Sequence, residues 1–117
     1  MKKILLISGI CTLLISAMSY QIILKTSLQI QILNRLGSRV SGVEVKLYGN
    51  KEDYESEHNQ LGETQLTDNK GRVLFKDLEA KPYYVSAKKG KLSNYGEAEL
   101  TDTLSAGRRN KVVIIIN

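Results

Sequence analysis

A period of two governs this chain. Leu28-Gln29-Ile30-Gln31-Ile32 alternates apolar and polar without a fault, and so does Val43-Glu44-Val45-Lys46-Leu47. That spacing puts every apolar side chain of an extended segment on one face, whereas on a helix it would scatter them around the axis. Alternation returns over residues 63–67, 72–75 and 83–88, weakens over 96–101, and gives way to an apolar β-branched run within 111–117. The single proline, Pro82, stands at the mouth of the fifth segment, where a strand tolerates a missing amide. Seven short strands separated by turn residues predict an antiparallel β-sandwich. No segment carries a helical period. Residues 49–59, with Glu52, Asp53, Glu55 and Glu57, read as a solvated loop.

A different pattern stands ahead of the first strand. Met1-Lys2-Lys3 supplies positive charge, residues 4–18 are an almost unbroken apolar run, and Ala17 and Ser19 are small residues just before Tyr20. This is the layout of a signal peptide cleaved before Tyr20, so residues 1–19 are expected to be removed and residues 20–117 to form one domain. The run is short against the roughly 20 residues that span a bilayer. Because apolar character resumes at Ile22-Ile23-Leu24, an uncleaved N-terminal anchor is the alternative. Lipid attachment at Cys11 is disfavoured, since Ile10 is large and the apolar run continues past the cysteine. Cys11 is the only cysteine and leaves with the leader, so packing and a hydrogen-bonded sheet must hold the domain without a disulfide. Two of the lysines behind the net charge of +5 leave as well. A weakly basic exported domain is not a nucleic-acid binder. The expected address is the periplasm, the cell surface or the medium, with membrane contact only through a retained signal.

Thr67-Asp68-Asn69-Lys70-Gly71 is the one loop that resembles a ligand cradle. A calcium loop needs about five oxygen ligands at alternate positions and a distal glutamate, and Lys70 sits where a ligand should. A phosphate loop needs several glycines with a helix behind them, and here one glycine precedes a strand. Asp first and Gly last suit a tight reversal instead, and a hairpin between the flanking strands is expected.

The order of these signals resembles the transthyretin-like (prealbumin-like) modules, similar to carboxypeptidase regulatory-like and collagen-adhesin B-type domains. The matching positions are Gly42, Val45, Leu47, Thr67, Asp68, Gly71, Phe75, Leu78, Tyr83 and Val85, and the likeness covers residues 28–117. It implies a seven-stranded Greek-key sandwich whose first and last strands are parallel neighbours. It also implies that Tyr83 faces inward with its hydroxyl held by backbone. Chemistry known in such modules is missing here. The first strand has no Lys for an internal Lys–Asn cross-link, and Ala87 stands where its assisting acid would fall. The purine-pathway hydrolase of this fold needs several histidines, and this chain has one.

The remaining candidates are sparse. His58 beside Glu55 and Glu57 is too few ligands of the right kind for zinc, and no nucleophile–base arrangement is visible, so neither enzyme activity nor a metal or cofactor is expected. If successive strands run antiparallel, Arg35, Arg39, Lys70, Lys88, Lys89 and Lys91 collect at one end as a candidate contact for an anionic ligand or partner. The acids of residues 52–57 would gather at the other end. Tyr48, Tyr84 and Tyr95 are expected on the surface, with Tyr84 a candidate interface residue. In the last strand Val112, Ile114 and Ile116 should enter the core. Val113 and Ile115 then face away, either covered by the N-terminal segment or forming an interface. The chain reads as a non-catalytic accessory module of a bacterial cell envelope that binds a glycan or protein. The alternatives are a subunit of a surface assembly joined by strand addition and, less favoured, an unrecognised hydrolase.

Overall fold

The computed structural model describes residues 25–117. The leader, its cleavage site, Cys11 and the apolar residues 22–24 lie outside the described residues.

The elements follow in the order β1 (Thr26–Leu33), β2 (Glu44–Tyr48), α1 (Lys51–Ser56), β3 (Leu61–Leu66), β4 (Arg72–Leu78), β5 (Tyr84–Lys89), β6 (Leu92–Ser93) and β7 (Arg109–Ile115). They form two sheets, β4-β1-β7 and β3-β2-β5-β6, which makes the domain an all-β sandwich. The alternation read in the sequence fills its interior. Leu28, Ile30 and Ile32 of β1 meet Val45 and Leu47 of β2 and Val85 and Ala87 of β5, with Val73 and Phe75 of β4 closing one side and Ile114 and Ile116 the other. Each of these except Ala87 contributes about 1.5–3 kcal/mol by leaving water. β1 pairs antiparallel with β4 and parallel with β7, in the register Gln31↔Val113. The first sheet is therefore mixed rather than wholly antiparallel. The first and last strands are parallel neighbours, as the resemblance implied.

Three local expectations need correction. The turn at Asp68 is as tight as expected: Gly71 N–H donates to the Asp68 carbonyl at 2.9 Å, and Asp68 Oδ1 accepts from the amides of Lys70 and Arg72 at 2.9 and 3.0 Å. Those two amides, that of Arg72 foremost, hold the Asp68 carboxyl below the usual carboxylate range. It does not make a hairpin, however. β3 pairs with β2, and β4 pairs with β1 in the other sheet. The turn carries the chain across the sandwich.

Residues 96–101 do not form a regular strand. Asn94 takes over the ladder beside β5, its Oδ1 accepting from Ala87 N–H at 3.0 Å and its Nδ2 donating to Val85 C=O at 2.8 Å. The chain then bulges outward, with Gly96 and Ala98 at positive φ. It rejoins β5 where Val85 N–H meets the Glu99 carbonyl and Thr101 N–H meets that of Tyr83.

Residues 51–56 form a helix rather than a loop. Asn50 caps it by accepting the Asp53 amide at 2.8 Å, Glu52 and Asp53 complement the positive helix end, and Glu57 in the left-handed region stops it. Its Tyr54 packs on the outer face of the second sheet, which explains why so short a helix persists. Tyr83 is placed as the resemblance implied: it is buried, its hydroxyl donating to the Glu79 carbonyl and accepting the Glu79 amide, both at 3.0 Å.

Candidate functional site

The two edges of the first sheet are treated differently by the chain. Along β4, Gln65 reaches over from β3 and acts as a substitute peptide: its Nε2 donates to Leu74 C=O at 2.7 Å, and its Oε1 accepts from Leu74 N–H at 3.2 Å. Along β7 the ladder with β1 sets a phase. Ser27 N–H donates to Arg108 C=O at 3.1 Å, and Ile116 N–H donates to Leu33 C=O at 2.9 Å, so the even-numbered residues turn their main-chain groups toward β1. The odd-numbered residues Arg109, Lys111, Val113 and Ile115 turn theirs outward, where no further strand follows. Asn117, next in that series, is already used, exchanging both its main-chain bonds with Ser93 at 3.0 and 3.1 Å. Four consecutive outward residues thus leave their N–H and C=O groups unpaired among the described residues.

The same four residues project side chains from the outer face. Val113 is 55% exposed and Ile115 43%, while Ile114 and Ile116 are buried in the core. The outward direction expected of Val113 and Ile115 holds, and the described residues leave them uncovered. Beyond Ile115 the strand runs into an apolar groove of about 500 Å³ between Leu36, Leu92 and Ile116, with Leu36 90% exposed. A run of unpaired backbone bordered by exposed β-branched side chains is what a sheet edge needs in order to accept another strand.

The basic residues do share an end, where β1 and β5 finish and the β3–β4 turn lies, but they do not form a free patch. Arg35 binds the side chain of Asn117, Lys89 Nζ donates to the Ser41 carbonyl at 2.7 Å, and Lys88 Nζ sits 2.9 Å from Glu57. Glu57 arrives there because α1 lies against β2 and β5, so acid and base are not segregated to opposite ends. The Lys88 ammonium holds the Glu57 carboxyl below its usual range. Arg39, Lys70 and Lys91 remain exposed, and the Lys70 carbonyl accepts from Gln31 Nε2. His58 is exposed just past α1, and no group of three metal-ligating side chains occurs among the described residues.

The tyrosines also depart from expectation. Tyr48 is buried and Tyr84 half-buried, because the Tyr54 ring stands edge-on to Tyr48 at 5.9 Å and tilted over Tyr84 at 5.4 Å. Only Tyr95, 80% exposed, is free in the way expected of all three. It borders a cleft of about 290 Å³ with Tyr54, Ser86, Lys88 and Asn94. Two of the polar groups there are satisfied within the chain, Lys88 by Glu57 and Asn94 by β5. Burial pushes the hydroxyls of Tyr48, Tyr54 and Tyr83 above their ordinary value near 10, and the neighbouring Glu99 carboxylate adds to the effect at Tyr54. A raised folded value favours the neutral form, so this contribution to stability is complete below about pH 10 and is lost as pH rises further, where the unfolded chain sheds the proton first. An absorbance titration should therefore show a late tyrosine class that ionises together with alkaline unfolding and shrinks in Tyr54→Phe. One transition near the ordinary value, with the fold intact at about pH 11, would exclude this account.

No protein-family description and no curated protein matches this sequence. Among solved structures, the fold is similar to that of a streptococcal ancillary pilin, with a TM-score of 0.57 over 78% of this chain and 16% sequence identity. The chain spans 31% of the pilin's length. At that identity the likeness is one of fold, an all-β arrangement of two sheets. Among the described residues, no helix is long and apolar enough to cross a membrane.

Proposed function

We propose that this chain is an exported, non-catalytic accessory module of the cell envelope, a transthyretin-like Greek-key sandwich that engages a protein partner through the free edge of β7. The observation that carries the reading is the row of outward main-chain groups at Arg109, Lys111, Val113 and Ile115, flanked by exposed Val113 and Ile115. A protein strand supplies the donors and acceptors such an edge lacks, and a glycan does not. The aromatic cleft, with Lys88 and Asn94 paired internally, is a weaker candidate for sugar. The pilin-like fold supports a surface role, structural or accessory, and the leader-like residues 1–19 support export.

Two measurements test this. Mass analysis of the protein recovered from cell fractions should find a mature N-terminus at Tyr20, and an intact Met1 in membranes would favour a retained anchor. A photo-crosslinking residue placed at Val113 in living cells should give discrete adducts with protein, while one at Tyr95 should not. Adducts at Tyr95 alone, or none at either position, would overturn the assignment of the edge.

A further inference from the structure

Resting on that reading of the β7 edge, we infer that the strand it accepts is β7 of a second copy of this chain, running antiparallel and centred between Lys111 and Val113.

Strand addition joins residues whose main-chain groups both point outward, and these are Arg109, Lys111, Val113 and Ile115 alone, because Asn117 is spent on Ser93. An antiparallel partner centred between Lys111 and Val113 matches Lys111 with Val113 of the other copy, Arg109 with Ile115, and the reverse. All four outward residues of each copy are then satisfied. Shifting the centre to Val113 would oppose Arg109 to the occupied Asn117 and leave one residue of each copy unpaired.

Side-chain direction selects the same arrangement. In a parallel ladder each residue that faces its partner stands opposite one that faces away, as Gln31 stands opposite Val113, so a parallel pairing would set Arg109 and Lys111 against even-numbered residues that already pack toward the other copy's core. The antiparallel register instead sets each cation against a β-branched residue of the other copy. The aliphatic stems of Lys111 and Arg109 can lie across Val113 and Ile115, the exposed apolar side chains of this strand, and keep their charged ends in water. The contact is its own complement, as a two-fold interface must be. It would join the two first sheets into one, ordered β4-β1-β7-β7-β1-β4.

The exported form of the chain, as isolated from cells, should sediment as a monomer when dilute and as a dimer at higher concentration. Val113→Lys puts a lysine opposite Lys111 twice over and should raise the dissociation constant roughly tenfold. Val113→Glu puts a carboxylate opposite the same lysine and should leave dimerisation nearly unchanged. Val113 is exposed, so neither change threatens the fold, and matched melting curves confirm it. For the register, a mixture of Lys111→Cys chains with Val113→Cys chains should oxidise to a mixed disulfide, since residues opposite in such a pair have Cα atoms about 5.5 Å apart. Neither variant alone should cross-link. If Val113→Glu weakens the dimer as much as Val113→Lys, this register is wrong. If the protein stays monomeric while a crosslinker at Val113 captures a different protein in cells, self-pairing is wrong and the edge reading stands. A monomer with no adduct at Val113 sinks both.

Discussion

Gly71→Ala is expected to lower stability by about 3 kcal/mol, near the upper end for a non-glycine residue forced into the left-handed region. Gly71 has φ +72, and an added Cβ would lie 2.7 Å from the Ile32 carbonyl oxygen and 3.2 Å from the Val40 amide nitrogen. Neither neighbour can move cheaply. The Gly71 carbonyl accepts from Ile32 N–H at 2.7 Å, and Val40 N–H donates to the Ile32 carbonyl at 3.1 Å. At Gly71 the turn that crosses between the sheets is thus packed backbone to backbone against the end of β1. Gly62→Ala serves as the control: its φ is +68, but nothing lies within 4 Å of the position a Cβ would take. That substitution should cost only the conformational term, about 1 kcal/mol. Urea denaturation of both variants reads the difference, and equal midpoints would mean that the close approach to β1 carries no energy.

Asn94→Ala should be comparably severe, about 3 kcal/mol. Asn94 is buried and stands in for a strand, so its removal leaves Ala87 N–H and Val85 C=O in the middle of β5 without a partner in the chain. Asn94→Asp separates the two bonds. It keeps an acceptor for Ala87 N–H and turns a second carboxylate oxygen against the Val85 carbonyl, so it should be destabilised at neutral pH. The deficit should shrink as the pH falls and the introduced carboxyl protonates, since a protonated oxygen can donate to Val85. Thermal melts of the two variants from about pH 7 down to about pH 4 make the comparison. A deficit in Asn94→Asp that does not vary with pH would show that the Val85 bond is unimportant.

The core was legible because its rule is local. Leu28, Ile30 and Ile32, Val45 and Leu47, and Val73 and Phe75 each reveal a buried face by period two, and two such faces have nowhere to go except against one another. What misled was side chains taking main-chain roles. Asn94 reads as a loop residue, yet it completes the β5 ladder and displaces the strand expected over 96–101. Asn50 followed by Asp53 is a helix-start signal, but six residues carry too little apolar period to be noticed, and the helix is held by Tyr54 against the rings of Tyr48 and Tyr84 on the neighbouring strands. That packing also hid Tyr48 and half of Tyr84, leaving Tyr95 alone where three surface aromatics were expected. At the candidate site, the outward direction of Val113 and Ile115 could be read from alternation. The phase of the free hydrogen-bonding groups could not, because it depends on the parallel register of β1 against β7. Nor did anything in the basic run announce that Lys88 would meet Glu57.

Gln65 bears on stoichiometry. With both edges of the first sheet open, an edge-seeking module could add copies without end, one on each side, and grow into a ribbon. The amide of Gln65 occupies Leu74 and blunts the β4 side, so growth from this sheet can proceed in one direction only. In an assembly built through the first sheet, this one glutamine from the opposite sheet would separate a finite pair from an open-ended ribbon.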